Sequence, residues 1–253
     1  MFTFIAIAFE RYLVSVTRQA IDAIGDHAAA EEADAFLRQE AQHARAHRAH
    51  AQALIAQYPA LKDTLAEANA AYDALLASKP LAFHLAYIAD LEATFTPLFK
   101  MMLDNRAVFF EGGDDRVGTL LLWHFVEEIE HRSSALTVYA AVVPSRWYRL
   151  RQAPRVFRHV TTVYQGIVRG MARYVPAADQ GVAVTKVAPM GLWRGDMLRN
   201  VPKRELRAMA RRLIAAQMPG HRPADEALPE WAQEWHAAYD AGDDVTTYAG
   251  ARV

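Results

Sequence analysis

Helix-breaking punctuation is what most limits the folds open to this chain. Gly25-Asp26, Pro59, Pro80, Gly112-Gly113-Asp114 and Pro144 cut it into long segments that otherwise consist of strong helix formers, chiefly Ala, Leu, Arg, Glu and Gln. The punctuation predicts helices over 2–24, 29–58, 81–106 and 115–142, with a shorter one over 62–76 inside the connection between the second and third. A long crossover of that kind belongs to ferritin-like bundles. The expected fold class is therefore all-α: a ferritin-like four-helix bundle over 1–145 with additional C-terminal helices. Residues 146–253 form a helical extension packed on the bundle, the whole making one structural domain.

Beyond Pro144 the character changes. A basic amphipathic helix is expected over 147–174, carrying Arg149, Arg151, Arg155, Arg158, Arg169 and Arg173. A Gly/Pro-punctuated loop over 176–202 follows, then helices over 203–218 and 226–239, and a frayed tail from Gly242.

Several functional classes are excluded by composition. Cysteine is absent from the 253 residues, which removes disulfides, thiolate metal sites and cysteine nucleophiles and fits a cytoplasmic location. A net charge of −1 gives no global attraction to nucleic acid. Met1 to Ala8 is apolar but lacks a basic leader and runs into Glu10-Arg11, so no secretory signal is read. No stretch reaches the roughly 18 uncharged apolar residues of a membrane span.

Two short patterns carry the chemistry. Residues three apart on a helix share a face, so Glu40/His43 and Glu128/His131 each present a carboxylate and an imidazole toward one point. With fourteen glutamates and ten histidines, chance supplies about half of one such Glu-x-x-His pair. Their setting adds weight. Glu10 lies in the apolar run Ile7-Ala8-Phe9-Glu10-Arg11-Tyr12-Leu13, and Glu92 in Ile88-Ala89-Asp90-Leu91-Glu92-Ala93-Thr94-Phe95. A carboxylate buried there needs a partner. One Glu from each of two helices plus Glu-x-x-His from two others is the ligand plan of dinuclear carboxylate bundles. His124, four residues before Glu128, adds an imidazole to the same stripe. Carboxylate and imidazole without sulfur suit iron or manganese and tolerate zinc, as two ions roughly 3.5–4 Å apart.

The segment Trp123-His124-Phe125-Val126-Glu127-Glu128-Ile129-Glu130-His131-Arg132-Ser133 resembles the signature of a bacterial family described as predicted metal-dependent hydrolases. Phe36-Leu37-Arg38-Gln39-Glu40-Ala41-Gln42-His43-Ala44-Arg45-Ala46-His47 resembles that family's other block. The pattern His-x-x-x-Glu-x-x-His is also similar to di-iron arylamine N-oxygenases, which use seven protein ligands. Carried over, the resemblance implies Glu10, Glu40, His43, Glu92, His124, Glu128 and His131 as the metal ligands. The family pattern has a longer leader and a Pro/Gly turn before the first Glu, which implies a shortened N-terminus here.

Plainer readings stand beside these. The pairs can be helix-face hydrogen bonds, His124 a core histidine, and Glu92 a partner for an arginine. Glu127 and Glu130 read as solvated or as supports, and Asp22, Asp90 or Glu127 can accept the second N–H of a ligating histidine. His47 and His50 extend the Glu40/His43 stripe, which leaves a mononuclear zinc site open, although no Glu adjoins the first His as a general base. Phe95, Phe99, Trp123, Phe125 and Tyr139 are core residues or the walls of an apolar pocket. The arginine face of 147–174 is a solvated face, a partner for the acidic loops, or a peripheral contact with an anionic membrane surface.

The leading expectation is a di-iron enzyme that uses O₂ to oxidise a small apolar molecule, with no electron donor legible. The alternatives are a metal-dependent hydrolase using a metal-bound hydroxide, and a non-enzymatic metal-binding bundle. A homodimer is also left open.

Overall fold

The computed structural model describes residues 1–110, 113–180, 200–223 and 230–249. The chain is all-α, and no strand occurs among the described residues. The helices are α1 (Phe2–Ile21), α2 (His27–Gln57), α3 (Leu61–Ser78), α4 (Leu81–Asp104), α5 (Arg106–Phe110), α6 (Asp115–Glu130), α7 (Ser134–Val142), α8 (Arg146–Tyr174), α9 (Lys203–Ala216) and α10 (Glu230–Asp240). None of the described helices is long and apolar enough to cross a membrane.

The punctuation acts through identifiable bonds. Asp26 caps α2, its carboxylate accepting from the Ala29 N–H at 2.8 Å. Asp114 caps α6 through the N–H groups of Arg116 and Val117. Each cap lies directly after a glycine, so chain reversal and helix start are encoded together.

Three expectations need correcting. The helix expected over 115–142 is two helices, α6 and α7, separated by a turn at 131–133. Arg132 accounts for the break. Its guanidinium donates to the carbonyls of Ile129 (2.6 Å) and Glu130 (3.5 Å), the acceptors that a continued helix would offer to Ser133 and Ser134. The helix expected to end at Arg106 stops at Asp104, and Arg106 begins α5. The tail is not frayed throughout: Thr246–Ala249 forms a 3-10 turn packed on α6. Buried Arg106 holds it by donating to the Tyr248 carbonyl at 3.0 Å, its guanidinium lying 4.4 Å from the Trp231 ring. Of the loop expected over 176–202, residues 181–199 lie outside the described residues, as do 226–229 of the helix expected over 226–239.

The chain divides into two compact units, Met1–Asp90 with Ser134–Leu198 and Leu91–Ser133 with Arg199–Val253. In the first, α1 packs along α2 and α3, α2 also meets α7, and α8 lies on α3. Gly170 makes the last contact possible, because a Cβ there would collide with the Thr64 side chain. The core of this unit includes Phe4, Leu13, Phe36, Leu61, Tyr72 and Tyr87. In the second unit Phe99 stacks on Phe125 with centroids 4.1 Å apart and on Phe95 at 5.0 Å. Trp235 is fully buried there and stacks on Tyr239.

Candidate metal centre

In the first unit the donors come from α1 and α2. The buried residues of α2 are Ala29, Ala33, Phe36, Glu40, His43, Ala44, His47 and Ala51, a three-and-four spacing that defines one inward face. Its ends are apolar, while its middle presents a carboxylate and two imidazoles. Glu40 and His43 are both 0% exposed, with Glu40 Oε2 3.8 Å from His43 Nδ1. Glu10 is buried on α1, a helix whose buried residues occupy nearly every turn.

His47 and His50 share one hydroxyl. Thr3 Oγ1 lies 3.2 Å from His47 Nδ1 and 2.8 Å from His50 Nδ1. Burial, reinforced by the neighbouring His43 and His50, pulls the His47 pKa down to about 3, so this ring is neutral near pH 7.

The second unit draws its donors from α4 and α6. Glu92 is buried on α4. On α6, His124 and Glu128 are one turn apart and buried, with His124 Nε2 2.8 Å from Glu128 Oε1. The other carboxylate oxygen, Oε2, lies 3.8 Å from His131 Nε2. His131 is the C-cap residue of α6, with φ −91° and ψ 18°, and is 9% exposed. Glu128 thus stands between two imidazoles, one on each of its oxygens. The edge of the Phe99 ring packs against His124.

Asp22 is exposed at the C-cap of α1. Glu127 accepts from Trp123 Nε1 at 2.7 Å, and Glu130 lies 3.1 Å from His236 Nε2. Asp90 is buried and takes Arg149 Nη1 at 3.1 Å. Burial drives the Asp90 pKa up to about 7, against the opposing pull of Arg149. Tyr139 closes the same corner: its hydroxyl donates to the Ser145 carbonyl (2.6 Å) and accepts from the Arg149 N–H (3.1 Å).

Sequence reasoning missed a second polar cluster in the first unit. Tyr12 contacts His84 Nδ1 at 2.8 Å, while Tyr87 meets Tyr72 at 3.3 Å and His159 Nδ1 at 2.9 Å. The only signal for it was three tyrosines at buried helical positions, which read equally well as ordinary core.

Each unit therefore holds buried histidine and glutamate side chains of a kind that could hold a metal ion. Neither the curated proteins nor the solved structures include a match to the chain. A family model described as predicted metal-dependent hydrolase matches residues 1–227. With all but the last 26 residues of the sequence inside that match, the chain belongs to the predicted metal-dependent hydrolase family.

Proposed function

We propose that this protein is a metal-dependent enzyme with a dinuclear centre held by Glu10, Glu40, His43, Glu92, His124, Glu128 and His131. The observation that carries the proposal is the repeated buried Glu-x-x-His pair, with carboxylate and imidazole 3.8 Å apart both in Glu40/His43 and in Glu128/His131. Burying a carboxylate is costly without a compensating cation. Glu10, Glu40, Glu92 and Glu128 place four carboxyl groups in buried positions, and carboxylate oxygens are favoured ligands of divalent ions. The donors are oxygen and nitrogen only, a set suited to iron or manganese and acceptable to zinc.

Hydrolysis is the reaction class favoured here, and the family description supports it. Bound ions would supply Lewis acidity, polarising a substrate carbonyl and bringing the pKa of water toward neutrality. The protein's own part is to orient and to exclude water. Glu128 fixes the His124 ring through its 2.8 Å contact, and Phe99 covers that ring on an apolar side. A small apolar ester or amide is the substrate class this supports.

Oxidation of a small apolar molecule by O₂ is the second reading. The specific feature in its favour is the donor set itself, four carboxylates and three imidazoles with no thiolate, which suits redox-active iron. One experiment separates the two. Protein loaded with ferrous iron, and separately with zinc, is assayed on ester and amide panels with and without O₂. Turnover that is indifferent to O₂ and retained with zinc establishes hydrolysis. Product formed only with iron and O₂ establishes the oxidase reading. Absence of bound metal in both preparations contradicts the proposal as a whole.

A further inference from the structure

The outer face of α8 has no role in the proposed metal chemistry. Arg151, Arg155, Arg158, Arg169 and Arg173 are all exposed. Their spacings of four, three, eleven and four residues lie close to whole helical turns, so the five guanidinium groups form one stripe. Exposed Thr162 lies on the same line, and Trp147, 61% exposed, stands one turn before its first arginine. From Trp147 to Arg173 the stripe is about 40 Å long. Arg146–Tyr174 contains no Asp or Glu. Among the described residues none of the five arginines belongs to an ion pair; Arg155 bonds Gln152 at 2.9 Å, and Arg173 lies over the ring of Tyr174.

The opposite face is already used. Ala153, Val156, Val160, Val163 and Ile167 are buried on the side of α8 that packs on α3. The helix is thus seated in the protein by its apolar face and presents an unneutralised cationic line outward. In a chain of net charge −1 that concentration of one sign is local, and its complement is a flat array of anions.

We propose that this face docks the protein on the surface of a membrane rich in anionic phospholipid. A planar bilayer can meet a 40 Å stripe along its whole length, whereas the phosphates of a nucleic acid duplex curve away from it. An exposed indole at one end is suited to the headgroup region of a bilayer, where its amphipathic ring is favoured. Because the apolar face of α8 is occupied, the contact is electrostatic with one inserted ring, and it weakens with salt.

Flotation of the full-length protein with phosphatidylcholine vesicles, with and without about one-third phosphatidylserine, tests the proposal. Binding is expected only to the anionic vesicles at about 0.1 M salt, with loss at about 0.5 M. Arg151→Glu, Arg158→Glu and Arg169→Glu combined should weaken it by about a hundredfold, and Trp147→Ala by several-fold, with unchanged circular dichroism. If charge reversal prevents folding, Arg151→Gln with Arg158→Gln should still weaken binding by about tenfold. Absence of binding, equal binding to neutral vesicles, or wild-type binding by the folded variants overturns the proposal. So does retention by an RNA homopolymer or a polyglutamate column when the anionic vesicles retain nothing.

Discussion

The two Glu-x-x-His pairs look alike in sequence and are built differently. Glu40/His43 sits in the middle of a 31-residue helix, with several turns of α2 on either side. Glu128/His131 sits at the very end of α6, where His131 is the capping residue and Arg132 turns the chain. The first pair is set by the regular geometry of one continuous helix. The second depends on a turn maintained by side-chain bonds, and it gains His124 as a further imidazole on Glu128. A mid-helix pair is a rigid platform, whereas a terminal pair can be adjusted by changes outside the ligand set.

The most severe test removes one carboxylate from each pair. Glu40→Ala and Glu128→Ala should each lower metal affinity at least hundredfold, read by equilibrium dialysis and elemental analysis. Outer contacts are worth about 10–100-fold, so a ligand itself should exceed that range. Unequal losses would show which pair dominates. A loss from neither would mean that the ligands are misassigned.

Gly170→Ala probes the first unit without touching any donor. A methyl group directed at Thr64 should cost about 1–3 kcal/mol of folding stability by overpacking, measured by urea denaturation, with metal content unchanged. Gly170→Ala combined with Thr64→Gly should recover part of the loss.

Arg132→Ala addresses the comparison itself. Loss of the bonds to Ile129, Glu130 and the Pro223 carbonyl (2.7 Å) should cost about 1 kcal/mol. It should also weaken metal binding several-fold by loosening His131. Arg45→Ala, at an exposed position two residues beyond His43, should do neither. Equal effects from the two arginine substitutions would remove the distinction between the pairs.

The smallest expected effect is one of pH. Burial holds His84 and His159 of the first unit below the ordinary histidine value of 6.5. Above 6.5 both rings are neutral whether folded or unfolded, so their contribution to stability is fully present. As pH falls below 6.5 the unfolded chain takes up protons first, and stability is lost until the folded-state values are passed. Denaturation midpoints of metal-free protein at pH 7.5 and pH 5.5 should therefore differ by less in His84→Gln/His159→Gln than in wild type.

Much of this organisation is legible in the sequence because local chemistry decides it. Gly25-Asp26 and Gly113-Asp114 combine a reversal with a cap, so the starts of α2 and α6 follow directly. The inward face of α2 is equally visible, since its three-and-four spacing passes through Glu40 and His43. The end of α6 is not visible. Glu130-His131-Arg132-Ser133 contains neither Pro nor Gly, and the break depends on where a long arginine side chain places its donors. The ordered tail is hidden for the same reason: Arg106 and Tyr248 are 142 residues apart, and no local pattern joins them. Asp90 could be recognised as an acid in apolar surroundings, but its partner Arg149 lies 59 residues away on α8. The candidate donor types are read from sequence, while their neighbours follow from tertiary packing.

The most direct test of the central claim is metal stoichiometry and identity in full-length protein purified without added metal. Two ions per chain, iron or manganese in the main, are predicted, falling below one in Glu128→Ala. Wild-type protein that holds one zinc per chain, or no metal after incubation with ferrous, manganous and zinc salts, would contradict the account.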